Sequence, residues 1–454
     1  MRTAYDPLRH AHVESVQAGL ADHIGRLAWP RERIENYRDR RLRALLVYAA
    51  QRSPFHARRL ADLNLSGVSV ADLGALPSMT KAQAQENWDS IVTIPGLHRD
   101  DVETILASQQ RYSYSPGGFQ VFSSGGSSGV RGVYVWDWQF FISAACLAWR
   151  TQALTERGRA PGPTRLAVLA AGMPPHASTP LFDIPTVEGM QTVVIPAGDA
   201  FDDVRTAVEA ARPTHLVGYA SVVGQLARAS LAGTCDIHPI RVSTNSEPLL
   251  DDDRTAIEEA WHAPIHNLWG STEIGVQAVG CGQGEGLHVC EDEVILERVD
   301  GDGLPVAPDE PAARTLATGL ANLAFPFIRY DLGDQVDWLP GECPCGSAFR
   351  RVADIRGRRD DDFSYGSTTL PASMFRHVLG SDPHVSEYQV LQTTNGADVL
   401  AVGDPDVAGL GSSLVAAARQ HGLGDPTITV RVVDRIPRHE GSGKLQRFVA
   451  LRSR

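Results

Sequence analysis

Apolar and polar positions alternate along the chain in more than one rhythm. Between Arg40 and Ala50 the apolar side chains fall on one helical face with basic ones opposite, and the first 65 residues read as helices. From Thr164 onward short apolar runs alternate with amphipathic stretches. Leu166 to Ala171, Thr192 to Pro196 and His215 to Tyr219 read as strands, and Phe201 to Ala211 and Ser221 to Ala232 as helices. That alternation predicts a sheet with helices on its faces and ligands in the loops beyond the strand ends. After Val294 the texture turns strand-like, with Gly, Pro and Asp between the segments Val294 to Val299, Arg314 to Thr318 and Phe327 to Tyr330. Beyond the polar run Arg356 to Asp362 the strands Tyr388 to Gln392 and Ile428 to Val433 accompany helices at Pro371 to Leu379 and Leu410 to His421. The prediction is an α/β fold with two domains. A large N-terminal domain, 1–356, has sheets flanked by helices, a helical opening segment at 1–65 and a β-rich part at about 280–356. A small α+β C-terminal domain covers 357–454.

Composition narrows the functional classes. The chain has 454 residues, 54 acidic and 42 basic side chains, and a formal charge of −12. A net negative surface with no local basic patch argues against nucleic acid and anionic lipid as partners. No run of about 18 apolar residues occurs, and charge and Pro stand at the start where a signal peptide needs an apolar core. The expectation is a cytoplasmic small-molecule enzyme. Of six cysteines, Cys281, Cys290, Cys343 and Cys345 crowd together, which in a reducing compartment suggests metal rather than disulfide.

Four segments carry candidate chemistry. Ser123 to Gly132 gathers four glycines and four hydroxyls, so that backbone N–H groups can approach an anion closely; it is not a Walker A loop, and a flexible linker has the same composition. Asn267 to Gly275 brings an aromatic ring, a hydroxyl and a carboxylate within nine positions; Thr272 suits a phosphate and Glu273 suits Mg²⁺, although an ordinary turn reads the same way. Phe327 to Asp334 ends in a carboxylate able to take both hydroxyls of a ribose or simply to cap a turn. Near the end, Gly441 and Gly443 flank a loop tip that can present Lys444 into a cleft.

Taken in order, these segments resemble the core motifs of the adenylate-forming superfamily of acyl-CoA synthetases, together with Gly357 to Asp361. Within it, Leu45 to Phe55, Leu76 to Lys81 and Gly286 to Val289 with Glu291 and Asp292 resemble the phenylacetate-CoA ligase family, so that the likeness covers roughly residues 40–454. The resemblance implies a carboxylic acid attacking the α-phosphate of MgATP to give an acyl adenylate and pyrophosphate, after which a nucleophile displaces AMP. It implies that Ser124, Gly125, Gly126, Ser127, Ser128 and Gly129 hold the outer phosphates. Thr272 and Glu273 would serve the α-phosphate and Mg²⁺, Asp334 the ribose, and Arg358 and Trp269 the nucleotide. Lys444 would be the catalytic cation, and Asp360 the hinge of a mobile C-terminal domain. The family's glycine in the adenine segment is missing from Ser243 to Pro248, leaving Ser246, Glu247 and Pro248 as the adenine contacts. The family's loop lysine is also missing, which makes Arg131 the candidate charge partner of the phosphates.

The resemblance further favours an aryl or arylacetic acid. Gly172, His176, Ser178, Tyr219, Ala220 and Trp269 are the candidate pocket residues; His176 and Ser178 suit ring hydroxyl or amino groups, and both also suit turns. CoA, a carrier-protein thiol, or a small-molecule amine or hydroxyl remain open as acceptors, a homodimer as the assembly, and a non-catalytic nucleotide-binding regulator as the rival function. Cys281, His288, Cys343 and Cys345 suit a closed tetrahedral Zn²⁺ site, Cys290 is an alternative member, and relatives carrying zinc at similar positions favour the metal.

Overall fold

A computed structural model describes residues 5–109, 112, 114–115, 117–124, 131–156, 164–171, 176–184, 189–307, 310–355, 361–366, 368–380, 382, 384–439 and 443–451. Its centre is a nine-stranded sheet. Across that sheet the strands run Trp338–Leu339, Arg351–Val352, Leu287–Val289, Gly275–Val279, Ile265–Ser271, Arg241–Asn245, His215–Tyr219, Arg165–Ala170 and Gln191–Pro196. The last five pair in parallel, and the others join antiparallel. Of the parallel strands, Arg165–Ala170 is a nearly continuous apolar run, as expected where helices cover both faces. Val204, Val208, Leu226 and Ile257 from helices Phe201–Ala211, Ala220–Leu231 and Asp251–Trp261 bury against Leu169, Leu216 and Val242. The opposite face packs on Trp138–Glu156, which in turn carries the N-terminal helix Tyr5–Arg26.

The predicted α/β alternation is present, with the strands and helices between Leu166 and Ala232 within a residue or two of their expected bounds. The stretch expected as one β-rich part at about 280–356 is divided. Val294–Val299, Arg314–Gly319 and Tyr330–Asp331 form a separate three-stranded sheet, whereas Leu287–Val289, Trp338–Leu339 and Arg351–Val352 extend the central one. Short antiparallel strands joined by turns carry no sign in the sequence of which sheet edge they will meet. Phe327 to Ile328, read as strand, stays outside it and buries its side chains in the core.

Residues beyond 361 carry a sheet of their own, ordered Thr427–Val432, Gly396–Gly403, Val385–Thr393 and Phe448–Val449. Their core of Phe363, Phe375, Leu414 and Phe448 is separate from the others. Arg356, where the sequence places the boundary, lies outside the described residues. Three arginines fasten the opening helices to the central unit through four ion pairs: Arg26 to Asp292 and Glu293, Arg31 to Glu291, and Arg41 to Glu293. Arg150, fully buried, completes the group at 2.7 Å from Asp292. Removing one partner there would strand a buried charge.

Candidate active site

The carboxyl ends of the parallel strands open on a cavity of about 320 Å³, the expected place for a ligand in such a sheet. Thr272 and Glu273 reach it from the turn between Ile265–Ser271 and Gly275–Val279, Asp334 from the loop after Tyr330–Asp331, and Lys444 from the last loop of the chain. The turn is fixed from behind, because the Trp136 indole donates to the Thr272 carbonyl at 2.8 Å. Gly275 closes it with φ +81°, and a Cβ there would stand 2.9 Å from the Phe140 ring. Asp334 is buried, and the Trp269 indole donates to its Oδ2 at 2.8 Å. One carboxylate oxygen is thereby held in place at the cavity wall.

The missing glycine of the adenine segment has a structural counterpart. Ser246 adopts φ +65°, the left-handed conformation that glycine normally supplies, and its hydroxyl donates to Asn245 Oδ1 at 2.8 Å. Ser246, Glu247 and Pro248 all line the cavity. Glu247, expected at adenine, commits both oxygens to the protein: Oε2 accepts from Ser221 N at 3.1 Å and Oε1 from Leu445 N at 2.6 Å. It thus joins the central unit to the lysine loop. The same junction includes Arg438 donating to Ser221 Oγ at 2.7 Å and to Glu387 at 2.6 Å. Gly443, φ +67°, lies against Gly198 so closely that a Cβ would stand 2.7 Å from the Gly198 nitrogen. These contacts set Lys444 in the cavity, with its ammonium 5.8 Å from the centre of the Tyr219 ring.

Three expected residues, Arg131, Tyr219 and Ala220, do not line the cavity. The Arg131 side chain is half exposed and pairs with Glu103 at 2.5 Å. Lys81 does line it, and its ammonium donates to Ser124 Oγ at 3.0 Å. Thr80 caps the helix Lys81–Glu86 and so fixes where Lys81 begins. A lysine at the first position of a boxed helix was the available sequence signal. Tyr219 and Ala220 are fully buried in the second core, and Tyr219 meets Lys444 rather than the cavity space. Gly125 to Gly129, Gly172, Arg358 and Asp360 lie outside the described residues.

His176, Ala177 and Ser178 line another wall beside Trp136, Leu181, Phe182 and Val276. This part is aromatic and aliphatic with a polar margin, a composition common to small-molecule sites.

A second polar cluster lies at the far edge of the sheet. Ligand atoms of Cys281, His288, Cys343 and Cys345 all fall within 4.8 Å of one another. Cys281 and Cys343 sulfurs are 3.6 Å apart, and Cys345 Sγ is 3.3 Å from His288 Nε2. His288 Nδ1 donates to the Phe349 carbonyl at 3.0 Å, which leaves Nε2 as the free ligand nitrogen. A Cβ at Gly284 would stand 2.8 Å from Cys343 Sγ, so the glycine makes room for the thiol. Three sulfurs and one nitrogen at this spacing fit a tetrahedral Zn²⁺. Cys290 lies outside the cluster, beside Arg150, and is fully buried there.

No helix among the described residues is long and apolar enough to cross a membrane. No family model matches the chain. Phenylacetate-coenzyme A ligase of Thermus thermophilus is 23% identical over 466 residues, spanning 93% of this chain and 98% of that protein. Among solved structures, 2-hydroxyisobutyryl-CoA ligase in its postadenylation state matches with a TM-score of 0.69 at 17% identity, over 94% of this chain and 91% of that one. The same ligase in its thioesterification state, aligned at 18% identity over 93% and 91% of the two chains, gives 0.58. An anthranilate CoA ligase bound to anthranoyl-AMP gives 0.50 at 17% identity, over 72% of this chain and 65% of that one. Along nearly its whole length the chain is thus similar to a phenylacetate-coenzyme A ligase, and it shares the fold of a solved acyl-CoA ligase.

Proposed function

We propose that the protein is an ATP-dependent acid–CoA ligase that activates an aromatic carboxylic acid as its acyl adenylate. The observation that carries this reading is the convergence of Lys81, Thr272, Glu273, Asp334 and Lys444 from four separate segments on one cavity. Asp334, oriented by the Trp269 indole, accepts from the ribose hydroxyls, and Ser246 and Pro248 border the base. Thr272 donates to the α-phosphate, and Lys81 with Ser124 meets the outer phosphates. A carboxylate oxygen of the acid attacks the α-phosphorus, the bond to the bridging oxygen breaks, and pyrophosphate leaves. Lys444 stands where negative charge accumulates on both reactants, so it lowers the barrier without reorganising. In the second half-reaction the CoA thiol, losing its proton, attacks the acyl carbon and AMP departs.

The oxygen donors of Glu273 and the substrate phosphates fit Mg²⁺, which would neutralise phosphate charge when bound. The higher TM-score with the postadenylation state, together with Lys444 already in the cavity, supports an arrangement suited to the first half-reaction. Residues 357–454 would then turn about Asp360 for the second. CoA as acceptor is supported by the names of the relatives. The Cys281, His288, Cys343 and Cys345 cluster is proposed as a structural Zn²⁺ site, closed by four protein ligands.

For the acid, the aromatic wall and His176 with Ser178 favour a hydroxy- or amino-substituted benzoate or arylacetate. Pyrophosphate release and CoA-thioester formation across a panel of acids test this directly. The substituted acids should react about tenfold faster than the unsubstituted ring, the worth of one hydrogen bond that a buried group would otherwise lose. His176→Ala should narrow that gap. Medium-chain fatty acids with a higher kcat/KM would overturn the pocket reading.

A further inference from the structure

We propose that Tyr134 and Tyr330 are positioning residues that lock the carboxylate of Glu273 in the orientation the nucleotide-bound cation requires. Both phenols donate to the same oxygen, Oε1, Tyr134 at 2.6 Å and Tyr330 at 3.0 Å. They arrive from different elements. Tyr134 stands on Gly132–Trp136, which pairs antiparallel with Gln120–Ser124 as a hairpin of its own, and Tyr330 on the edge of the three-stranded sheet. Two donors on one oxygen fix the plane of the carboxylate. Among the described residues no hydrogen bond is formed to Oε2, so this oxygen is the one left for a ligand at the cavity wall.

The placement of Tyr134 is built into the backbone. A Cβ at position 132 would come within 2.0 Å of the Tyr134 oxygen, so glycine at that position is what lets the ring fold back toward Glu273. Tyr134 also bonds the Ser124 hydroxyl, which receives the Lys81 ammonium. The start of the phosphate loop is therefore connected to Glu273 through a single buried phenol. Tyr330 is buried among Tyr134, Phe325 and Phe327 and has little freedom to turn away.

This inference rests on Glu273 as the cation ligand, and the test separates the two. Tyr134→Phe, Tyr330→Phe, the double variant and Glu273→Gln are titrated with ATP by calorimetry, once with Mg²⁺ and once in EDTA, with melting temperatures recorded alongside. Phenylalanine keeps each ring and its packing, and each single variant tests the clamp independently should the other fail to fold. Each tyrosine variant should weaken MgATP binding about three- to tenfold while metal-free ATP binding stays within about twofold. Pyrophosphate exchange in the same variants should need more Mg²⁺ to reach half its maximum. Equal weakening with and without Mg²⁺, or none in either, would overturn the clamp. A Glu273→Gln variant that loses the Mg²⁺-dependent gain while both tyrosine variants keep it sinks the clamp alone. Retention of the gain in Glu273→Gln sinks the assignment of Glu273 and the clamp with it.

Discussion

The cavity and the cysteine cluster are both polar sites on one sheet, yet they are assembled in opposite ways. The cysteine cluster is local and closed: Cys281 and His288 flank one turn, Cys343 and Cys345 another, and three of the four are buried. The cavity is open, and its charged groups come from positions 81, 273, 334 and 444. Three of these are held in place by protein neighbours: Trp269 for Asp334, the two phenols for Glu273, and the Glu247 and Gly198 contacts for the lysine loop. A closed site spends its ligands on stability. The open one gathers charged groups of both signs around a space that a reactant can enter.

The sharpest way to break this contrast is to remove a charge from the open site. Lys444→Ala should lower the adenylation rate by about 10²- to 10³-fold, since the lost interaction is made in the transition state. The melting temperature should hardly move, because the loop is anchored through Leu445 N and Gly443 rather than through the ammonium. Pyrophosphate exchange within a few-fold of the parent would show that Lys444 is not the catalytic cation.

Removing a ligand from the closed site should do the reverse. Protein purified without added zinc should carry about one Zn²⁺ per chain, and Cys343→Ser should lower both metal content and melting temperature. The drop should be about 1 °C for each kcal/mol lost in a chain of this size. The surviving folded fraction should retain adenylation. Native metal-free protein with four freely reactive thiols would remove the zinc reading, and a variant with full stability but no activity would invert the contrast.

The two sites were also unequally legible in the sequence. Ligand type and spacing alone picked out the four cysteine and histidine positions, because a tetrahedral site needs few residues and accepts few kinds. The cavity residues Thr272, Glu273, Asp334 and Lys444 were legible only as an ordered set, and their supporting groups were not. Tyr134 and Tyr330 read as ordinary strand aromatics, since the contact that gives them meaning spans 139 and 57 positions. At Ser246, where the expected glycine is missing, the residue nevertheless adopts the left-handed conformation, which the sequence does not signal. Arg131 satisfies a local rule about charge beside a glycine-rich loop, yet its guanidinium pairs with Glu103, and the ammonium that reaches Ser124 is that of Lys81, 43 positions away. The sheet alternation was readable because a buried parallel strand such as Arg165–Ala170 is a nearly continuous apolar run. The division of the 280–356 region was not, because edge pairing depends on partners far away in sequence.

The contrast between stability and chemistry extends to the N-terminal layer, where three histidines are buried in the neutral form. Burial lowers His12 to about 4 and His23 and His56 to about 3, with Arg9, Arg26 and Arg59 respectively adding to the effect. A histidine whose folded pKa is depressed is protonated in the unfolded chain first. Its stabilising contribution is therefore complete above about pH 6.5 and is lost as the pH falls toward the folded value. Within that window each such group removes about 1.4 kcal/mol per pH unit, so His56 should account for about 2 kcal/mol between pH 6.5 and 5. His56→Gln keeps a nitrogen able to donate to the Pro326 carbonyl, which His56 Nε2 reaches at 3.0 Å, but has no proton to gain in this range. Urea unfolding of both proteins at pH 6.5 and pH 5 should show a smaller acid loss in the variant by about that amount. Other acid-sensitive groups cancel in the difference between the two proteins. Equal acid losses in both would mean that His56 is already accessible to protons in the folded state, and that the N-terminal layer opens before the cavity does.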